Sequence, residues 1–465
     1  MTRIFVWKGA LCLGKYFGTD GFRGRAGVDL TAEHAFKIGR FLGWYYKNQH
    51  TGDKARIVIG KDTRRSSYMY ESALAAGITS SGADAYLLHV TTTPCVSYIT
   101  RTENFDCGVM ISASHNPFGD NGIKLMNGNG EKAEDELQEQ IERFIDGEPA
   151  ELPWTTESAI GCTVDFYSGR SRYIGYLTNL ATHPFDDHKV ALDCANGSSW
   201  MIGPAVFNAL GAKTYVINNQ PDGVNINLNC GSTHIEGLQR YVRENHMDVG
   251  FAFDGDADRC LAVDEKGQVV NGDQIIYICA RWLKQHGQLP NNRVVTTIMG
   301  NFGLYQALDA AGIGYEKTAV GDRYVYERMK ENHDVLGGEQ SGHIIFRKHA
   351  RTGDGLITAI MLMTVLIDTM LPLSTLAEGC PMLPQCLKNA EVDSKDDTLN
   401  DPLVQKATKE CTEALGNTGR VLLRKSGTED VLRVMAEAAT QSECDAQVQA
   451  ILKAMEASGH LKKIR

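Results

Sequence analysis

Short apolar runs alternate with longer amphipathic stretches along most of this chain. Ala32 to Tyr46 places Phe36, Gly39, Leu42 and Gly43 on one face of a predicted helix. Arg56 to Ile59 reads as a strand ending in Gly60-Lys61-Asp62, Ser67 to Ser81 as a helix, and Ala85 to His89 as a strand. Thr93-Pro94 opens a helix through Tyr98. Val109, Met110 and Ile111 form a further strand, and Glu131 to Ile145 the next helix. Such alternation predicts an α/β domain with a mainly parallel core. After the loose connection from Gly147 to Pro153, that domain is expected to end near Cys162.

The alternation then repeats, without sequence identity visible between the repeats. Helices are predicted over Arg172 to Leu180 and Ile235 to Glu244, and strands over Lys189 to Asp193, Thr214 to Ile217 and Val249 to Phe253. A turn at Ala195-Asn196-Gly197-Ser198-Ser199 enters another helix. Beyond Gly267 come a helix from Asp273 to Lys284, a strand from Arg293 to Ile298, a helix from Gly300 to Ala310 and a strand from Tyr315. Val320-Gly321-Asp322-Arg323-Tyr324 precedes another helix. Leu356 to Ile367 is uncharged and apolar but too short to span a bilayer, which predicts a buried helix. Pro372, Pro381 and Pro384 mark a boundary near residue 380. The last part predicts a helix from Asp401 to Leu415, strands over Arg420 to Leu423 and Val431 to Ala438, and a helix from Ser442 to Ala457.

Polar residues cluster where this periodicity breaks. After the strand ending at Ile111, Ser112, Ser114, His115 and Asn116 crowd ahead of Pro117, and a turn at Asn121-Gly122 is expected to bring Lys124 back. The carboxyl end of a buried parallel strand is where α/β proteins place chemistry. A serine hydroxyl there needs a base, a metal or a covalent modification to react; the plainer reading is a turn cap.

Asp254, Asp256 and Asp258 alternate along a turn, where they repel one another unless a cation joins them. Such oxygen ligands suit Mg²⁺ or Ca²⁺. Glu265 falls at the last ligand position of an EF-hand, but Arg259 replaces the required glycine and the flanks VGFAF and CLAVD read as strands. Mg²⁺ is favoured because it takes few protein carboxylates; a metal-free acidic turn is the alternative.

Three other breaks carry weaker signals. Gly18, Gly21 and Gly24 surround Arg23, whose fork suits an anion, although a surface turn explains them too. Glu339, Ser341 and His343 stand among glycines in Gly337 to His343, an inventory that suits sugar hydroxyls or a plain β-turn. Ser426, Gly427 and Thr428, with Arg424 and Arg433, either clamp an anion or close a hairpin.

At roughly 100–200 residues per domain, 465 residues imply about three or four domains. Hydrophobic residues at 43% and charged residues at 22% describe an ordinary globular protein. A net charge of −10 argues against nucleic-acid binding. The 12 cysteines are scattered with no C-x-x-C, which predicts neither a zinc site nor a disulfide framework but reduced, buried thiols and a cytoplasmic location. The opening MTRIFVWKGALCLGK is interrupted by Lys8 and lacks a cleavage-like site, so it reads as an arm rather than a signal peptide. Nothing in the pattern implies a membrane.

Together, SASHNP at Ser112 to Pro117, DGDADR at Asp254 to Arg259, GGEQSGH at Gly337 to His343 and RKSGTE at Arg424 to Glu429 resemble the α-D-phosphohexomutase superfamily. The motifs match in kind and order from Tyr16 onward. The wording of GTDGFRG, VGDRYV and GGEQSGH is closer to the bacterial amino-sugar branch than to phosphomannomutases and phosphoglucomutases. Two departures stand out: Asp430 replaces the proline of the family's GTEP, and the arm before Lys15 is longer than expected.

The resemblance implies an α/β protein of four domains. An arm at residues 1–14 would precede domains at 15–162, 163–266 and 267–380, which share a mixed α/β core. Residues 381–465 would form a TATA-binding-protein-like α+β domain. By position Ser114 would carry phosphate, and Asp254, Asp256 and Asp258 would hold one Mg²⁺ with a phosphoserine oxygen. Glu339 and Ser341 would bind sugar hydroxyls. Arg424, Ser426, Gly427, Thr428 and Arg433 would grip the non-reacting phosphate.

The implied reaction interconverts glucosamine 6-phosphate and glucosamine 1-phosphate through a 1,6-bisphosphate. Mg²⁺ and Arg259 would neutralise the transferring group, Arg23 would face an anion, and Lys124 and His343 would be the acid/base candidates, Lys124 with a pKa lowered by Arg23 and the metal. The same chemistry on mannose or glucose phosphates, or a non-catalytic phosphosugar-binding protein, are the alternatives. The expected partners are small phosphosugars, with a second copy of the chain in a homodimer as a further option.

Overall fold

A computed structural model describes residues 14–18, 20–50, 53–148, 151–426 and 431–465. Its elements fall into two units. One is built from the described residues up to Met299 with Gly314–Ala377; the other is Gly300–Ile313 with Glu378–Arg465.

The first unit begins with β1 (Phe17–Gly18), β2 (Gly21–Arg25), α1 (Ala32–Lys47), β3 (Arg56–Lys61), α2 (Arg65–Ser80) and β4 (Asp84–Val90). Then come α3 (Thr93–Thr102), β5 (Cys107–Ile111), β6 (Asp120–Asn127), α4 (Asp135–Ile145) and β7 (Thr163–Asp165). The sheet order is β1-β2-β6-β5-β3-β4-β7. β5, β3, β4 and β7 run parallel, whereas β1, β2 and β6 are joined antiparallel onto β5, so the sheet is mixed rather than mainly parallel. Ile57, Val58, Ile59, Val109, Met110 and Ile111 are fully buried, as expected of strands covered on both faces. Two glycines set the helix layer: a Cβ at Gly39 would lie 2.4 Å from Leu74 O, and one at Gly77 2.3 Å from Phe36 O. Only glycine allows α1 and α2 to approach this closely.

Two sequence expectations fail here. Asn121 and Gly122 do not form a turn; both lie inside β6, where Gly122 pairs with Arg23. Helix α4 starts at Asp135, not Glu131, because Lys132 bridges back to Met126 and keeps the preceding stretch extended against β6.

The second sheet follows α5 (Tyr167–Thr178) and contains β8 (Lys189–Asp193), α6 (Ser199–Ala209), β9 (Lys213–Ile217), α7 (Glu236–Glu244), β10 (Val249–Phe253), β11 (Cys260–Asp264) and β12 (Val269–Val270). Its order is β12-β11-β10-β8-β9. The aspartate turn is the connection of the β10–β11 hairpin, so the strand flanks that argued against an EF-hand are present.

The third sheet follows α8 (Gly272–Gln285). Its elements are β13 (Arg293–Thr297), the intervening α9 (Phe302–Ala310), β14 (Gly314–Thr318), α10 (Asp322–Asn332), β15 (Leu336–Gly338) and β16 (Ile344–Phe346), in the order β14-β13-β15-β16. The apolar helix α11 (Gly355–Thr369) is buried from Gly355 to Leu366, and α12 (Leu373–Glu378) follows.

The second unit holds β17 (Gln385–Val392), α13 (Lys395–Asn400), α14 (Pro402–Leu415), β18 (Arg420–Lys425), β19 (Val431–Glu437), α15 (Gln441–Ala457) and β20 (Leu461–Ile464). Its antiparallel sheet, ordered β18-β19-β17-β20, packs Val434 and Ala436 with Val448, Ile451 and Leu452 of α15. Helix α9 belongs to this unit. Phe302 N donates to Glu437 Oε2 at 2.9 Å, and Asn301 Nδ2 to Leu383 O at 3.0 Å. The fold is therefore three α/β sheets and a C-terminal antiparallel sheet with helices.

Candidate active site

The loops of the first unit's three sheets meet around Ser114. Its φ of 51° lies in the left-handed region, uncommon for a serine. This backbone turn points Oγ at the aspartate hairpin, where it donates to Asp254 Oδ2 at 2.5 Å. His115 Nδ1 lies 3.4 Å from the same hydroxyl. Burial, then the charges of Arg259 and Arg23, push the His115 pKa down to about 4, so its ring is neutral near pH 7.

Asp254, Asp256 and Asp258 each offer a carboxylate oxygen within 4.8 Å of the others, and all three are buried. Burial and the charges of Asp258 and Asp256 push the Asp254 carboxyl far above its usual range. Asp258 goes the other way: burial is outweighed by Lys124 and His343. Asp256 Oδ1 and Asp258 Oδ1 have no hydrogen-bond partner among the described residues. Buried acceptors are ordinarily satisfied. Three crowded carboxylates with two spare oxygens fit a hard divalent cation such as Mg²⁺. Arg23 Nε and Arg259 Nε are likewise buried with no hydrogen-bond partner among the described residues, Arg259 Nε lying 3.9 Å from Asp258 Oδ1, which fits an anion beside that cation.

Lys124, on β6, reaches Asp256 at 2.8 Å, Asp20 at 3.3 Å and Asp258 at 3.6 Å. Burial alone would lower its pKa, but the three carboxylates raise it well above the usual lysine range. The expected lowered pKa is therefore wrong. Arg23 does pull it down, but less than the three carboxylates push it up, and Arg23 is itself paired with Asp20. The ion pairs continue: Lys132 bridges Asp20 at 3.4 Å and Asp322 at 2.7 Å, and His343 lies 3.7 Å from Asp322 and 3.6 Å from Asp258.

Two influences on His343 oppose one another. Burial is outweighed by Asp258, Asp322 and Glu339, pushing its pKa up to about 9. Yet Gly353 N donates to its Nε2 at 2.9 Å, which requires that nitrogen to be unprotonated. A backbone N–H cannot turn away, so the ring is assigned as neutral with its proton on Nδ1 facing Asp258.

The β15–β16 hairpin meets the aspartate hairpin through a backbone bridge between Arg259 and His343. Glu339 is half-buried there; Oε1 accepts from Gly321 N at 3.0 Å, and Ser341 Oγ lies 3.4 Å from Oε2. In the second unit Arg424 and Arg433 stand opposite each other on β18 and β19. Burial first, and then Arg433, lowers the Arg424 pKa. Like charges facing across strands are unfavourable unless an anion joins them. Ser426 N donates to Val431 O at 3.0 Å. Gly427, Thr428 and Asp430 lie outside the described residues.

Asp20, Lys132 and Asp322 were not singled out as site residues by sequence reasoning. Their signal was faint: Asp20 sits inside the glycine loop around Arg23, and Asp322 inside the VGDRY loop.

Comparison with known families decides the class. Phosphoglucomutase/phosphomannomutase alpha/beta/alpha domains I, II and III match residues 14–151, 171–267 and 271–382, and that family's C-terminal domain matches 387–454. The chain belongs to the phosphoglucomutase/phosphomannomutase family. Among its relatives in that family, the phosphoglucosamine mutase of Lachnospira eligens is 60% identical over 448 residues, covering 96% of this chain and 100% of that protein. The phosphoglucosamine mutase of Lachnoclostridium phytofermentans is 57% identical over 450 residues, covering 97% and 100%. A solved phosphoglucomutase/phosphomannomutase family protein from Burkholderia thailandensis shares the fold, with a TM-score of 0.78 at 22% identity over 95% of this chain and 97% of that one. The four motifs of this phosphoglucomutase/phosphomannomutase family member thus fall one in each matched domain.

Proposed function

We propose that the protein interconverts glucosamine 6-phosphate and glucosamine 1-phosphate, with Ser114 as the phosphoryl carrier. The observation that carries the reading is the Ser114 hydroxyl held on the buried aspartate cluster at 2.5 Å. Phosphorylated Ser114 gives its phosphoryl group to the substrate's free hydroxyl: the P–Oγ bond breaks, a P–O bond to the sugar forms, and the proton lost by the sugar hydroxyl is balanced by one gained at Oγ. The 1,6-bisphosphate turns over, and Ser114 takes back the other phosphate in the reverse step.

Phosphoryl transfer is mostly positioning and charge stabilisation. Asp254, Asp256 and Asp258, with a phosphoserine oxygen, would hold Mg²⁺, which when bound neutralises charge on the transferring group. Arg23 and Arg259 supply further positive charge. Lys124, held as an ammonium by the carboxylates around it, adds a further fixed positive charge. His343 is placed to orient Asp258. Glu339 and Ser341 bind sugar hydroxyls, and Arg424, Ser426, Gly427, Thr428 and Arg433 grip the non-reacting phosphate. The relatives' activity and the described cysteines, none paired with another, support a cytoplasmic place ahead of UDP-N-acetylglucosamine and cell-wall precursor synthesis.

Turnover of phosphate-loaded protein with Mg²⁺ on glucosamine, glucose and mannose 1-phosphates, measured in parallel, tests the reading. Preference for the amino sugar supports it. Preference for glucose or mannose phosphate keeps the mechanism and replaces the substrate, and binding without turnover removes the enzyme.

A further inference from the structure

The peptide groups of Ser114 are tied down at both ends. Its N–H donates to Ser112 Oγ at 2.9 Å, and that hydroxyl donates to Asp62 Oδ2 at 2.7 Å. Asp62 is fully buried and also accepts from Ser67 Oγ at 2.7 Å and Arg64 Nε at 2.8 Å. Arg64, fully buried as well, turns its other nitrogens to the serine loop. Nη2 donates to Ser114 O and to Asn116 O, both at 2.9 Å, and Nη1 to Pro117 O at 2.6 Å.

A second donor arrives from the other sheet. Asn227, between β9 and α7, donates from Nδ2 to Ser114 O at 2.9 Å and to Asn116 O at 3.2 Å. Its own backbone is left-handed, with φ 58°, a conformation asparagine tolerates better than most residues. Gly255 completes the fit: a Cβ there would lie 2.5 Å from Ser114 O and 2.9 Å from Asn227 Nδ2.

We infer that Arg64 and Asn227 form a two-sided clamp on the Ser114 carbonyl, and that Asn227 is a positioning residue for phosphoryl transfer. This rests on the reading of Ser114 given above. A left-handed serine is strained unless its surroundings over-determine it, and the clamp supplies that determination. Neither side chain needs to touch the sugar. Both act through the Ser114 and Asn116 carbonyls, and therefore equally whether Ser114 is donor or acceptor. Phosphoryl transfer tolerates little misplacement of the reacting oxygen, since about 1 Å costs roughly 10²-fold in rate.

Asn227→Ala and Asn227→Asp test it in the full-length, phosphate-loaded enzyme. The aspartate is nearly isosteric and keeps the left-handed preference, but faces two carbonyls with an acceptor. The expected result is a fall in kcat of roughly 10- to 100-fold in Asn227→Ala, with KM within about twofold and wild-type phosphoserine occupancy by intact mass. Asn227→Asp falls further, and carries the test alone if Asn227→Ala does not fold. A merely structural Asn227 predicts lower thermal stability with wild-type kcat per folded, phosphorylated molecule; that result, or Asn227→Asp no worse than Asn227→Ala, overturns the clamp. If the wild type turns over none of the three sugar phosphates, the functional reading fails and the clamp's role with it. An active wild type with unaffected variants removes the clamp alone.

Discussion

Lys124 Nζ lies 3.3 Å from the Asp20 carboxylate, and this pair makes Lys124 a fixed cation rather than a base. Asp20 is held well below the usual carboxylate range: burial opposes, but Lys124, Lys132 and Arg23 together outweigh it. The lysine therefore serves through its charge. Lys124→Met is expected to lower kcat by about 10² or more, and Lys124→Arg, which keeps the charge, by roughly tenfold. Equal losses in the two variants would show that charge is not what the position supplies.

Ser114→Ala removes the phosphoryl carrier while leaving the clamped backbone in place. Mutase turnover should fall by three orders of magnitude or more, on the order of losses seen for other covalent nucleophiles. Intact mass should show no phosphate on the purified variant. Substrate binding, read by protection against thermal unfolding, should persist.

The aspartate cluster makes metal binding visible in stability. With the cation absent, three buried carboxylates repel; with it bound, the fold gains the binding free energy, about 2.7 kcal/mol at a hundred times Kd. Mg²⁺ should raise the melting temperature of chelator-treated protein, and Asp256→Asn should flatten that rise. A melting temperature indifferent to Mg²⁺ in the wild type would remove the metal from this site.

Asp354 gives a pH dependence of stability. It caps α11 through Ile357 N at 2.9 Å, accepts the Tyr173 hydroxyl at 2.6 Å, and burial pushes its pKa from 3.8 up to about 6. Between those values the folded state holds the proton more tightly than the unfolded chain. Its contribution therefore favours the fold at low pH and declines as pH rises from about 4 to 6, a cost of about 3 kcal/mol above that window. Asp354→Asn should thus gain stability over the wild type as pH rises through 4 to 6. An unchanging difference in chemical denaturation across that range would contradict the shift.

The elements with clean periodicity were legible in the sequence: β8, β10 and β11 fall where the apolar runs placed them. Strand β6 was not. It is buried from Asn121 to Met126, so Asn121, Gly122 and Lys124 carry no alternation of inside and outside and read as a polar turn. The aspartate hairpin was legible because like charges at close spacing repel wherever the chain goes. Asp20 and Lys132 were not, because their meeting depends on β2 lying beside β6, a fact of sheet order. Asn227 left no trace because its partners are main-chain carbonyls, which every residue possesses.

The placement of α9 has a consequence for how the chain is made. Its residues leave the ribosome well before Leu383 and Glu437, which satisfy Asn301 Nδ2 and the Phe302 N–H. A helix start without such partners is unstable alone. The helix must therefore wait, tethered between β13 and β14, until β17 and β19 have been synthesised. A nascent chain stopped before Leu383 should carry α9 as a protease-sensitive loop.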